Sequence, residues 1–410
     1  MKLIILLCII SLLSACNPKK QEYNYKKGSY GFDVEFFEHQ KIAMIQLQDN
    51  ISDAAVLVSP DYQGRVMTST ANGMNGDSFG WINTDYIKAG KLNDQFNPFG
   101  GEERLWLGPE GGPFSIYFDK DVNQSFENWK VPKELDTTPF EVVEKSKQKV
   151  SFQKAFELKN VSGTLLKVGI ERSIKLLSKN EVEQALKTPI NEQLNWVAYQ
   201  TENILTNKGD NNWTEDTGFL SIWLLCMFNP AENGVVFLPY NEGDDEELGK
   251  IVEDDYFGKV PKERLIKNDG IVYFKVDGKF RSKIGLSPQR STPYCGSYDA
   301  EKSTLTILWY SKPDTPCKYV NSKWGEQENP LKGDALNSYN DGPVADGSVM
   351  GPFYEIESSS PAALLYSGDS IKHTQRIFHI TGDEKLLDKI SQNIFNISLV
   401  DVKQMFIKVK

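Results

Sequence analysis

Glu355 and Glu357 stand two residues apart in the run Tyr354 to Glu357, a spacing that puts both carboxylates on one face of a β-strand. Two carboxyl groups facing one way repel, so a shared proton, a cation or a nearby arginine must compensate them. On a concave, half-buried face one of the two rises in pKa and can work as general acid or base. A solvated edge strand would show the same spacing, because glutamate is mostly exposed. His373 follows the Gly368-Asp369 turn and is a candidate proton donor to the same cleft. His379 alternates with Phe378 and Ile380 and reads as structural.

A second concentration of chemistry lies in Gly100 to Phe114, GGEERLWLGPEGGPF. Five glycines and two prolines in fifteen residues predict a shaped loop or a short bulged strand. Arg104 is the leading candidate for ligand contact, since a guanidinium makes paired hydrogen bonds to hydroxyls or a carboxylate. Glu103 or Glu110 would orient it, and Trp106 offers a flat face for a sugar ring, or simply packs in the core. Arg281 and Lys283 share a strand face and would suit an acidic sugar, although an ordinary solvated strand looks the same. The tight turn held by Arg–Glu pairs is the plainer alternative for the whole stretch.

Other chemistries lack their residues. There is no P-loop, dinucleotide fingerprint, G-x-S-x-G elbow or H-E-x-x-H. The acidic runs Gly243 to Glu247 and Glu253 to Asp255 lack calcium-loop spacing and read as solvated loops. No metal site or cofactor is expected. A net charge of −10 argues against nucleic-acid binding.

At the N-terminus, Lys2, the apolar run Leu3 to Leu13 and Leu13-Ser14-Ala15-Cys16 read as a secretory signal over 1–15. The ending resembles a bacterial lipobox, which implies lipidation at Cys16, a membrane anchor and a cell-envelope location, outer membrane foremost. Residues 16–28 read as a flexible tether and 29–410 as one domain. Of the five cysteines, Cys226 reads as a buried thiol, and Cys295 and Cys317 are placed to close one bridge.

The elements that must position these residues are nearly all strands. Lys41 to Leu47, Ala54 to Ser59 and Arg65 to Thr70 are short and β-branched between turn residues. Lys149 to Leu158, Thr164 to Leu177 and Asn195 to Thr206 alternate as long antiparallel strands with one wet face. Further strands are expected over Phe219 to Phe228, Val235 to Pro239, Ile271 to Val276, Lys283 to Leu286, Thr304 to Tyr310, Tyr354 to Glu357 and His373 to Ile380. Helix is expected only over Lys179 to Leu186 and, capped by Asp383, to Phe395. This pattern predicts an all-β fold, a large antiparallel sandwich with few short helices.

Two stretches together resemble the galactose mutarotase-like supersandwich proteins related to aldose 1-epimerases. GGEERLWLGPEGG is similar to a Gly-Gly-x-x-Arg-x-Trp-x-x-Pro-Glu signature. GPFYEIESSSPAALLYSGDSIKHTQRIFH, Gly351 to His379, is similar to a closing pattern of Glu, Ser-Pro, a Gly-Asp turn and His-Thr-x-Arg. The resemblance implies a sugar cleft on a curved sheet, with a carboxylate as base on the anomeric hydroxyl and a histidine as acid at the ring oxygen. In this chain the histidines are His39, His373 and His379, and none lies mid-chain where the epimerases place theirs. The expected partner is therefore a carbohydrate, met either by an epimerase-like isomerase or by a non-catalytic glycan-binding or structural envelope protein.

Overall fold

The computed structural model describes residues 22–49, 52–344 and 346–407; the expected signal segment and Cys16 lie outside them. Long alternating strands build a ten-stranded sheet. Its order is Leu265–Asn268, Ile271–Lys275, Val235–Pro239, Tyr294–Asp299, Thr304–Tyr310, Ser370–Thr381, Asn195–Asn207, Leu165–Leu176, Lys149–Lys159, Glu141–Lys145. A five-stranded sheet runs Ser282–Leu286, Leu336–Asn340, Tyr354–Ser359, Ser221–Phe228, Arg104–Gly108. A third sheet, Ile45–Gln48, Ala55–Ser59 and Arg65–Thr70, meets the five-stranded one where Val66 bridges Glu103. Every ladder is antiparallel.

The two larger sheets pack face to face. Gln375 of the ten-stranded sheet reaches Cys226, and His373 reaches Ser358, both of the five-stranded sheet. The five-stranded sheet is thereby buried on both faces, which is why Ser221–Phe228 carries eight buried residues and no polar alternation. The outer face of the larger sheet is covered by Lys179–Leu186, Glu384–Phe395 and Leu399–Gln404. Leu387, Ile390 and Phe395 pack there with Phe237, Ile307 and Phe378. Each such side chain contributes about 1.5–3 kcal/mol on burial. The first of these helices opens on a Ser178–Glu181 capping box, and the second is capped by Asp383 as expected.

Several expectations are corrected. Tyr30–Gln40 is a helix capped by Ser29, and its buried side mixes Asp33 and Gly31 with Tyr30, Phe36 and Phe37, which hid its period. That helix ends at left-handed Lys41, so the first strand starts at Ile45 rather than Lys41. Of the shaped loop or short bulged strand expected here, Arg104–Gly108 is a short strand without a bulge, and the punctuation lies on either side of it. Cys295 and Cys317 are free: the first is buried within Tyr294–Asp299 and forms no bridge. Among the described residues no helix is long and apolar enough to cross a membrane.

Candidate functional site

Register decides which side chains meet. Across the five-stranded sheet Arg104 lies beside Leu225, Leu225 beside Glu357, Glu357 beside Asn337 and Asn337 beside Gly285. The next row reads Met227, Glu355, Tyr339, Lys283. Directly opposed residues point to the same face. Arg104, Glu355, Glu357 and Lys283 therefore share the face turned away from the ten-stranded sheet, with Trp106 and Trp223 one row further on.

Two ion pairs organise this face. Arg104 Nη2 lies 2.9 Å from Glu355 Oε1, and its guanidinium stacks over the Trp106 ring at 4.3 Å. Glu357 Oε2 accepts from Lys283 Nζ at 2.8 Å and from the Trp223 indole N–H at 2.9 Å. Glu357 is 1% exposed and Glu355 5%, so both are held by partners rather than by solvent. Burial pushes the Glu355 carboxyl up; Arg104 opposes this and Glu357 adds to it. Burial also works against the Lys283 ammonium, but Glu357, Glu110 and Glu355 outweigh it and leave its pKa raised.

Aromatic rings roof the cluster. Phe96 and Trp129 lie 5.8 and 6.2 Å from Trp106, and Trp324 stacks on Trp129 at 6.2 Å. The Tyr256 ring lies 5.7 Å from Lys283 Nζ, and its hydroxyl donates to Asp334. Half-buried Glu110, Lys283, Tyr256 and Trp324 form the side nearest solvent. A cavity of about 370 Å3 lined by Ile42, Tyr62, Tyr86 and Phe99 lies apart from this face and holds none of these groups.

Arg104, Trp106, Glu110, Lys283, Glu355 and Glu357 are thus brought together, and Glu355 rather than Glu103 or Glu110 orients Arg104. Arg281 continues the Lys283 side of the edge strand and stacks on Phe257 at 3.8 Å. Glu103 and His373 are not on this face. Side chains alternate, so Glu103, one residue before Arg104, points between the sheets to Arg172 at 2.8 Å, Thr201 at 3.1 Å and Gln375 at 2.7 Å. His373 is fully buried in the same layer, its Nε2 2.8 Å from Ser358 Oγ. Burial drags its pKa down to about 3, so it stays neutral on the face opposite Glu355 and Glu357.

The Gly100-Gly101 pair explains how the clamp forms. Gly101 has φ +120, and a Cβ there would lie 2.5 Å from Arg65 Cδ. The chain turns through this pair into the clamped Glu103 and delivers Arg104 to the opposite face. Sequence reasoning missed Trp223, Tyr256, Asp334 and Asn337. The two-residue period of Trp223 and Leu225 carried a signal for the first, but the acidic context of Tyr256 mimics a solvated loop.

Fold and site together define an antiparallel β-sandwich protein whose inner sheet carries a charged, aromatic-roofed face. Over residues 28–406 the sequence matches the model of a family of unknown function, DUF6786, and the chain belongs to that family. No curated protein matches it. The chain is similar to the solved Slr1438 protein of Synechocystis sp. PCC 6803, at 13% identity and TM-score 0.49 over 88% of this chain and 100% of that one. It is also similar to a galactose mutarotase-like protein of Lactobacillus casei, at 10% identity and TM-score 0.46 over 82% and 100% of the two chains. For a galactose mutarotase related enzyme of Lactobacillus acidophilus the values are 8% and 0.45 over 82% and 97%.

Proposed function

We propose that the charged face is a carbohydrate-binding cleft able to carry acid–base chemistry on a neutral sugar. One observation carries the reading. Glu357 Oε1, Arg104 Nε and Trp106 Nε1 are buried without a hydrogen-bond partner, and all three belong to side chains on this face. Each such atom costs about 1–3 kcal/mol when left unpaired. One acceptor and two donors beside indole rings suit a hydroxyl-bearing ring with an apolar face. The two unassigned Glu357 lone pairs suit a base on an anomeric hydroxyl.

Charge count selects the neutral sugar over the acidic one that Arg281 and Lys283 suggested. Lys283 is taken by Glu357 and Arg104 by Glu355, while Glu110 and Asp334 add further carboxyls. An anionic sugar would have to compete with Glu357 and Glu355 for these two cations.

A thermal-shift panel of neutral aldohexoses and uronic acids tests the reading. A neutral sugar at a hundredfold its Kd should add about 2.7 kcal/mol to stability. Arg104→Ala and Glu357→Gln should each abolish the shift, and a uronic acid should give a smaller one. No shift with any sugar at millimolar concentration would sink the proposal. A non-catalytic glycan-binding role is the second reading, favoured by the absence of the three histidines from this face; binding without turnover in polarimetry would select it.

We also propose that the protein is a lipoprotein of the bacterial envelope, on the strength of the Leu-Ser-Ala-Cys ending. Mass spectrometry of the membrane-extracted protein should find diacylglycerol on Cys16, and Cys16→Ala should release the chain from the membrane fraction. An unmodified Cys16 would refute the anchor.

A further inference from the structure

Resting on the sugar-cleft reading, we infer that Glu110 is the proton donor of this site, in the place a histidine would otherwise hold. The turn that bears it is built to aim one side chain. Its backbone N–H donates to Ser322 Oγ at 3.3 Å, and its carbonyl accepts from Ser115 Oγ. Gly111 lets the Lys323–Trp324 backbone lie directly against this turn, since a Cβ there would stand 2.3 Å from the Lys323 carbonyl oxygen. The main chain is thus tied down on both sides, and the carboxyl lies near Lys283 and Glu357 on the charged face.

What surrounds that carboxyl fits an acid. Glu357 faces it from the Tyr354–Ser359 strand, Lys283 from the edge strand and Tyr117 from its own segment. Trp324 and Trp129 lie beside it, and the buried Trp129 indole N–H has no hydrogen-bond partner of its own. Burial raises it to about 7, with Lys283 opposing and Glu357 adding, so a proton is both held and releasable near neutrality. Glu110 stands nearer solvent than Glu355 and Glu357, which are locked into ion pairs. The two carboxyls that flank Lys283 thus differ in role: Glu357 is held by an ammonium and an indole N–H, and Glu110 is held mainly by its burial. Environments that separate two carboxyls in this way assign the acid and the base.

The step balances without a further reactant. Glu357 takes the proton of the anomeric hydroxyl while Glu110 gives its proton to the ring oxygen. The C1–ring-oxygen bond breaks and an open-chain aldehyde forms. After rotation about C1–C2, Glu110 recovers its proton from the new hydroxyl as that oxygen adds to C1. Glu357 then returns the other proton to the former carbonyl oxygen, giving the opposite anomer.

Polarimetry of freshly dissolved α-D-glucose and α-D-galactose with the full chain provides the test, paired with thermal shift by the same sugars. Activity of the native chain should decline as pH rises through about 7, where the acid form is lost. Glu110→Gln should lower kcat by about 10²–10⁴-fold, remove that decline and leave the sugar-induced shift within twofold. Glu110→Asp should restore part of the rate, and it serves as the test variant if the glutamine variant does not fold. A Glu110→Gln enzyme with kcat within threefold of the native one, or with the decline unchanged, overturns the assignment. Sugar binding by the native chain without any mutarotation also overturns it and leaves the binding cleft standing. Absence of sugar binding removes the cleft reading itself.

Discussion

Arg172→Ala should lower the unfolding free energy by about 3–5 kcal/mol, the cost of leaving one member of a buried ion pair alone. Arg172 is 1% exposed and satisfied at three points: Nη2 to Glu103, Nη1 to Asn203 at 2.6 Å and Nε to the Gly64 carbonyl at 2.9 Å. Truncation leaves the Glu103 carboxylate between the sheets with only Thr201 and Gln375 as donors. Against a total stability of about 5–15 kcal/mol for an ordinary domain, that is a large fraction. Urea unfolding at pH 7 measures it. Arg172→Met combined with Glu103→Leu should recover much of the loss, because apolar replacement of both partners is often neutral. A single-variant loss under 1 kcal/mol would show that the clamp does not hold the sheets. The clamp also bears on the site: with Glu103 released, Arg104 loses the neighbour that fixes its face, so the sugar-induced shift should shrink in Arg172→Ala.

Acidification should expose His373. In the unfolded chain a histidine titrates near 6.5, whereas in the fold burial holds this one at about 3. Below pH 6.5 the unfolded state binds a proton that the native state refuses, so stability falls as pH falls. The contribution is intact above about 6.5 and lost progressively towards 3. At about 1.4 kcal/mol for each pH unit the full loss is about 4–5 kcal/mol. The groups facing His373 are neutral: Ser358, Ser311 and, at 6.1 Å, the Tyr310 ring. Glu110 and Asp33, both raised to about 7 chiefly by burial, act in the opposite direction. Their native protons stabilise the fold below about pH 4, and that contribution is lost as pH rises from about 4 to about 7. The difference between the native chain and His373→Gln isolates the histidine. The two melting curves should converge from pH 7 to pH 4.5 as the native protein loses its advantage. Parallel curves over that range would contradict a neutral buried His373.

Much of the architecture is legible locally. A two-residue alternation over Lys149 to Leu158 or Asn195 to Thr206 needs no tertiary information, since one wet and one dry face follow from the pleat. The carboxylate pair Glu355 and Glu357 was legible for the same reason: a two-residue spacing on a strand fixes a shared face. The helix Tyr30–Gln40 was not, because its buried side contains Asp33, satisfied by Ser78 from a distant segment. Nor was the fate of Lys283, whose partner is 74 residues away.

The sheet-rich fold, the shared face of the two glutamates and the prominence of the Gly100 to Phe114 stretch follow from the residues alone. Each of these follows from short-range sterics and burial. Which partners Arg104 and Glu103, adjacent in the chain, meet on opposite faces of one sheet depends on long-range packing. The same holds for His373, which lies between the sheets while Glu110 lies on the side of the charged face nearest solvent. Those outcomes depend on strand register, and register is set by pairing between segments far apart in the chain, as where Arg104 and Glu357 both lie beside Leu225.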